Sequence, residues 1–391
     1  MALSHLVSAR PERAVSLMRG ARSGRVRVLH VIQNLNYGGM ERLLADIVRG
    51  MDHSRFEGHV LALQYLGRFA EGLEEVAGLH LAGSMSRWSM LRPASLARQF
   101  ARIAPDVVHT HSGVWYKASL AARMAGVKRV IHTEHGRRSP DPLADRMIDA
   151  LAARRTDVVV AVSDRLGEQL VATRISAARR VRVVHNGVDT LAYRPRPDDG
   201  ALRAELGIAP DALIVGSIGR LEPIKGYDIM VEAFAQLLSG WGNAAKPVLV
   251  VAGEGSERSR LEALVDERGL RSHVHLLGWR NDAHALHSAF TVFTMSSRSE
   301  GTSVSLLEAM SAGLCPVVSD VGGNSAVLGA HLGHRLVPPE DAASLATAWR
   351  NALLDVRRRD ADGTAARARV QSHFSLGAMI GAYERLYDAA D

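Results

Sequence analysis

The sequence predicts an α/β protein of two doubly wound domains, each a parallel sheet with helices on both faces, set against each other across a cleft. Three observations lead there. Val- and Ile-rich runs of strand length are apolar throughout rather than alternating, as in strands buried on both faces. These runs alternate with stretches of helical periodicity. The alternation halts at a polar segment, 189–200, and then restarts. At 391 residues the chain is also too long for one ordinary core, so two domains of about 150–200 residues are expected.

In order, "VRVLHVIQ" (26–33) is the first strand, followed by a glycine turn and the helix "MERLLADIVRGM". "HVLAL" (59–63) is the next strand. "PASLARQFARIA" (93–104) has helical spacing and leads into "DVVHTH" (106–111). "WYKASLAARMAG" is a helix closed by Gly126; "RVIHTEH" (129–135), "DVVVAVS" (157–163) and "VRVVHNG" (181–187) are strands. After the linker "DTLAYRPRPDDG" come the strands "LIVGSIG" (213–219), "PVLVVAG" (247–253), "HVHLLG" (273–278), "TVFTMSS" (291–297) and "PVVSD" (316–320). Helices at 226–239, 256–268, 282–289 and from about Ser303 to Gly313 separate them. In such folds ligands gather at the carboxyl ends of the strands, hence in the cleft.

Apolar residues make up 47% of the chain and charged residues 23%, which excludes wholesale disorder. No apolar run approaches the roughly 18 residues of a membrane span. Cys315 is the one cysteine, so no disulfide forms within the chain, and a reducing cytoplasm is the simplest location. A small buried hydrophobe is the expected role for it. The net charge of +7 points to anionic partners. Nucleic acid is the weakest of these, since no nucleic-acid-binding motif is present. Residues 1–24 hold four arginines against Glu12 and no long apolar core, so they read as a flexible basic extension and not a secretory signal. A transit-like or membrane-touching segment is the alternative.

Four constellations could carry chemistry. In "SEGTSVSLLEAMSAG" (299–313), Glu300 precedes a helix and Glu308 lies inside it among Leu306, Leu307, Ala309 and Met310. Ser305, Glu308 and Ser311 share one stripe. The backbone N–H groups of Thr302, Ser303, Val304 and Ser305 form a helix N-terminus suited to a diphosphate. The plainer reading is a loop charge and a thin solvated stripe. In "IGRLEPIKG" (218–226), Arg220 and Lys225 follow a strand, where they grip phosphate oxygens or merely solubilise. Gly38 and Gly39 open a helix after the first strand, for close backbone approach or for packing alone. His109, His111, His132 and His135 end two strands, either as metal ligands or as a polar cleft wall.

Taken together, these residues resemble a known family. "SEGTSVSLLEAMSAGLCPVVSDVGG" is similar to the Glu-x7-Glu signature of family-4 retaining glycosyltransferases. "GRLEPIKGYDIMVEAF", "DVVHTHS", "TEHG", "VVHNGVD", "VVAGEGSERSRLEAL" and "HVHLLGW" resemble its other blocks in order, over about 25–391. The resemblance implies the GT-B fold, with two Rossmann-like domains. Residues 25–188 would form the acceptor-side domain and 189–374 the nucleotide-sugar-binding domain, with a last helix at about 375–391 crossing back to the first. It implies no cofactor, with a nucleoside-diphosphate sugar as co-substrate and a saccharide or lipid-linked acceptor, as in polysaccharide or glycolipid synthesis. Arg220 and Lys225 would clamp the diphosphate, and Glu308 would bind the ribose. Glu300 and the 302–305 backbone would hold sugar and phosphate. Gly38 and Gly39 would approach from the other domain, and His135 would bond the sugar or the transition state. Positive charge from Arg220 and Lys225 would do the work otherwise given to a metal. The family's usual Phe-Gly is Thr302-Ser303 here, which leaves the donor sugar undefined.

Two further expectations can be tested. A metal-dependent hydrolase using His109, His111, His132 and His135 is the competing reading. The stretch 86–104, mixing Trp88, Leu91 and Phe100 with four arginines, is either an interfacial helix on an anionic membrane's inner face or an ordinary packed helix.

Overall fold

The computed structural model describes residues 24–36, 38–83, 87–137, 141–242 and 245–388. The basic extension expected at 1–24 lies outside the described residues except for Gly24.

Seven parallel strands build the first sheet: β1 (Val26–Asn34), β2 (Phe56–Tyr65), β3 (Ala77–Leu81), β4 (Val107–His111), β5 (Arg129–Glu134), β6 (Val158–Ala161) and β7 (Val181–Val183). Their order is β3-β2-β1-β4-β5-β6-β7. Six build the second: β8 (Ile214–Ile218), β9 (Val248–Ala252), β10 (Val274–Leu276), β11 (Val292–Met295), β12 (Cys315–Ser319) and β13 (Leu336–Val337), ordered β10-β9-β8-β11-β12-β13. In each sheet the order reverses beside the first strand, between β1 and β4 and between β8 and β11. Those switch points are where crevices open at strand carboxyl ends.

Apolar clusters cover both faces of both sheets, as the unbroken Val/Ile runs require. Cys315 is buried among them, and burial pushes its thiol up to about 12, so it stays protonated and inert. Two strands escape the sequence pattern. β3 is a half-buried edge strand, "AGLHL", interrupted by Gly78. β13 has only two residues.

The chain passes between the sheets twice, and the two crossings lie side by side. Val188 N–H donates to Phe374 O, and Leu376 N–H donates to Val188 O, both at 2.9 Å. Beyond this, the helix Leu376–Asp388 buries Met379, Ile380, Tyr383 and Tyr387 in the core of the first sheet. The helix Ala94–Ile103 buries Leu96, Ala97 and Phe100 against that sheet, so this part of 86–104 is a packed helix, while Ser86 and the Trp88 side chain lie outside the described residues. Its apolar face is spent on the core.

Candidate active site

The chain end of β8 turns through Gly219–Gly226. Gly226 has φ +63°, and a Cβ there would lie 2.2 Å from Ser296 O, so only glycine fits. This close approach brings Lys225 to the end of β11. Its Nζ lies 2.5 Å from Glu300 Oε1, and Ser297 Oγ donates to the same oxygen at 2.6 Å. Arg220 remains exposed, with its charge near Glu41. Burial raises the Glu41 carboxyl; its own backbone N–H and Arg220 only partly offset this.

The helix Val304–Ser311 begins where expected. Ser303 is its N-cap, accepting the Leu306 N–H at 3.4 Å, with Ser305 Oγ 3.2 Å away. Facing it is the N-terminus of the helix Gly39–Gly50, because a Cβ on Gly39 would sit 3.3 Å from Val304 Cγ2. Two helix N-termini therefore converge at the cleft, each equivalent to about half a positive charge. Gly38, with φ +157°, forms the turn before the second of them.

Thr302 plays a different part. It is buried; its Oγ1 donates to Val162 O at 2.6 Å, and its own carbonyl accepts from Asn186 Nδ2 at 2.7 Å. The hydroxyl in the place of the family's Phe thus ties the two domains together. The same loop is tight enough that a Cβ on Gly301 would meet His135 O at 2.1 Å, and one on Gly322 would meet Glu300 O at 1.8 Å.

Glu308 is 4% exposed. The thin solvated stripe does not exist: Ser311 donates to Tyr193 O at 2.7 Å, and Glu308 faces Arg42 Nη1 at 3.1 Å. Arg42 comes from the opposite domain and also lies over the Tyr193 ring. Burial, and then the charge of Glu308, pushes the Tyr193 phenol up. His287 stands 3.9 Å behind Glu308. Sequence reading missed Arg42, Glu41 and Tyr193. The signal for Arg42 was available: an acid inside an apolar helix needs a counter-charge.

The four histidines do not form a metal quartet. His132 pairs with Thr110 Oγ1 at 2.9 Å and stacks on Trp115 at 3.8 Å, away from the other three. His109 meets the Tyr387 hydroxyl at 2.8 Å and Thr133 Oγ1 at 2.7 Å. His111 and His135 contact each other at 3.1 Å. Strand alternation explains the split, since His109 and His111 share one face while His132 takes the other. Ring nitrogens of His30, His109 and His111 do lie within 4.8 Å of one another, but those of His109 and His111 are already engaged.

Below His135 lies a buried anchor. Glu134 accepts from Ser112 Oγ at 2.7 Å, His135 N–H at 3.1 Å and Arg137 Nη1 at 2.9 Å. Burial alone would raise this carboxyl; the nearby His132 side chain at 3.9 Å, the charge of Arg137 and the Ser112 hydroxyl outweigh it and hold it down at about 2. Arg137 also binds Asp141 at 2.8 Å and Asp149 at 2.7 Å.

Two doubly wound domains meeting at a cleft are the arrangement of the GT-B transferases. Comparison with known proteins narrows this. The model "Glycosyl transferases group 1" matches residues 198–369 and "Glycosyltransferase Family 4" matches 37–191. The chain belongs to the family-4 glycosyltransferases. It is 30% identical over 311 residues to a D-inositol 3-phosphate glycosyltransferase of Catenulispora acidiphila, covering 72% of this chain and 71% of that one. It is also 30% identical over 232 residues to the UDP-Gal:alpha-D-GlcNAc-diphosphoundecaprenol alpha-1,3-galactosyltransferase of Escherichia coli, covering 57% of this chain. That match spans 60% of the relative's length. The crystal structure of Anabaena Alr3699/HepE with UDP and glucose shares the fold, with TM-score 0.82 and 22% identity, covering 93% of this chain and 100% of that one. None of these comparisons favours a hydrolase.

Proposed function

We propose that the protein moves a sugar from a nucleoside-diphosphate sugar to an acceptor hydroxyl with retention of anomeric configuration, in polysaccharide or glycolipid synthesis. The observation that carries this reading is the meeting of Lys225, Glu300 and two helix N-termini at one point of the cleft. As the glycosidic bond breaks, negative charge grows on the leaving diphosphate. In this reading Lys225, Arg220 and the N–H groups of residues 302–305 meet that charge. The incoming diphosphate takes Lys225 from Glu300 and frees that carboxylate for the sugar hydroxyls. Glu308 exchanges Arg42 for the ribose. The leaving phosphate removes the acceptor's proton on the same face, so Glu300 is a sugar contact rather than a nucleophile, and His135 bonds the sugar. Residues 25–188 with the last helix form the acceptor side, and 189–374 the donor side. The E. coli relative makes UDP-galactose the first donor to test. Calorimetric titration with nucleotide-sugars checks the reading: one of them binds saturably, and binding by none contradicts it.

A membrane-facing position has a specific observation in its favour. On the helix Leu143–Ala153, Leu143 is 73% and Met147 69% exposed, with Ile148 and Leu151 on the same face. With the net charge of +7, this suits an anionic lipid surface and a lipid-linked acceptor. No helix among the described residues is long and apolar enough to cross a membrane. Sedimentation with anionic vesicles should carry the protein down, and the double variant Leu143→Ser/Met147→Ser should stay in solution. Equal behaviour of the two removes this helix from the role.

A further inference from the structure

Three imidazoles lead from the core of the first sheet to the cleft. His30, on β1, is fully buried, and its Nδ1 lies 3.3 Å from Nε2 of His111. His111, at the end of β4, is 1% exposed, and its Nδ1 lies 3.1 Å from Nε2 of His135. His135 is half-buried beside Gly301, and its Nδ1 has no hydrogen-bond partner among the described residues. At the inner end, Nε2 of His30 is buried without a partner among the described residues. His109 packs against the string but is no link in it, since both its nitrogens go to Tyr387 and Thr133.

Burial keeps these rings neutral: it pushes His30 down to about 3, His111 well below the usual histidine range, and His135 to about 4. A neutral imidazole has one N–H and one lone pair. Both contacts join a δ nitrogen to an ε nitrogen, so each ring's tautomer dictates the next. Every ring carries its proton on Nδ1, or every ring carries it on Nε2. A mixed string would set N–H against N–H, or lone pair against lone pair, in a buried place.

We propose that His30 and His111 are positioning residues that tie the tautomer of His135 to their own, so that its Nδ1 donates to or accepts from a hydroxyl of the bound sugar only as the whole string allows. The inference rests on the reading of His135 as a sugar contact. Which nitrogen of a histidine carries the proton is set by what the other nitrogen bonds. Here that control reaches two rings back, to a residue that touches no ligand.

The test is the 15N imidazole spectrum of the full chain with ring-labelled histidine at neutral pH. His30, His111 and His135 are expected in one and the same neutral tautomer. Two neighbours in different tautomers, or any of the three charged, overturns the proposal. His30→Phe, remote from the cleft, is expected to change the tautomer populations of His135, because it removes the buried end ring whose surroundings weigh the two arrangements of the string. It should also lower kcat about tenfold at nearly unchanged donor KM, as for loss of one hydrogen bond. An unchanged His135 spectrum in that variant overturns the proposal as well. Should His30→Phe not fold, the wild-type spectrum decides alone. The spectra do not depend on turnover, so a failure of the sugar-contact reading is seen separately, as wild-type activity in His135→Ala.

Discussion

Lys225→Ala is expected to lower kcat by about 10²–10³-fold, the usual cost of removing one preorganised group from a developing negative charge. Lys225 is the cation held closest to the site by the fold, wedged by Gly226 against β11 and 2.5 Å from Glu300. Its side chain is 21% exposed, but Glu300 at 7% loses its counter-charge, so a urea midpoint is measured first to confirm that the variant is folded before its turnover is compared. Arg220→Ala and Glu300→Gln are expected to lose most activity for the same reason. Steady-state donor consumption at saturating donor and acceptor measures the effect. Turnover of Lys225→Ala at the wild-type rate would remove Lys225 from the site.

Arg137→Met is expected to destabilise the protein by about 3–5 kcal/mol, because breaking a buried ion pair leaves charges uncompensated. Glu134 and Asp141 would keep negative charge at side chains 7% and 6% exposed, and Asp149 would follow at 22%. The pH dependence has a definite sign. Glu134 is held at about 2, below the ordinary 4.5. A carboxyl lowered in the folded state contributes stability above its unfolded pKa and loses it as pH falls through the folded value. The wild type therefore loses this contribution between about pH 4.5 and 2, while the variant has less to lose. Protonation of Asp149, whose carboxyl burial already raises, relieves the variant in the same direction. Urea denaturation at pH 7 and pH 3 should show the gap between the two proteins narrowing. A gap that is constant, or widens toward acid, contradicts the account.

The α/β class, the break near 189–200 and the helix after Glu300 were legible because they depend on local signals: unbroken Val/Ile runs, turn residues and an N-cap serine. The partners of the charged groups were not. Lys225 and Glu300 are 75 residues apart in the chain, and Arg42 and Glu308 lie in different domains. Only the folded topology pairs them. Thr302 looked like a changed donor contact, whereas its hydroxyl bonds Val162 O across the domain seam. The histidine cluster misled for a related reason. Four histidines at two strand ends look convergent in sequence, but the pleat turns His132 to the face opposite His109 and His111. His30 carried no signal at all, since a lone histidine in an apolar strand is more often structural.

The central claim is that the cleft between the two sheets holds a nucleoside diphosphate on Arg220, Lys225 and the N-terminus of the 304–311 helix. Calorimetric titration measures this most directly, with UDP and UDP-galactose first, and then the other nucleotides, against the wild type and the double variant Arg220→Ala/Lys225→Ala. The account predicts one-to-one binding of a single nucleotide class to the wild type, weakened at least about tenfold in the double variant, as for loss of charge-assisted hydrogen bonds. Equal affinity in the two proteins, or no binding of any nucleotide by the wild type, would contradict it.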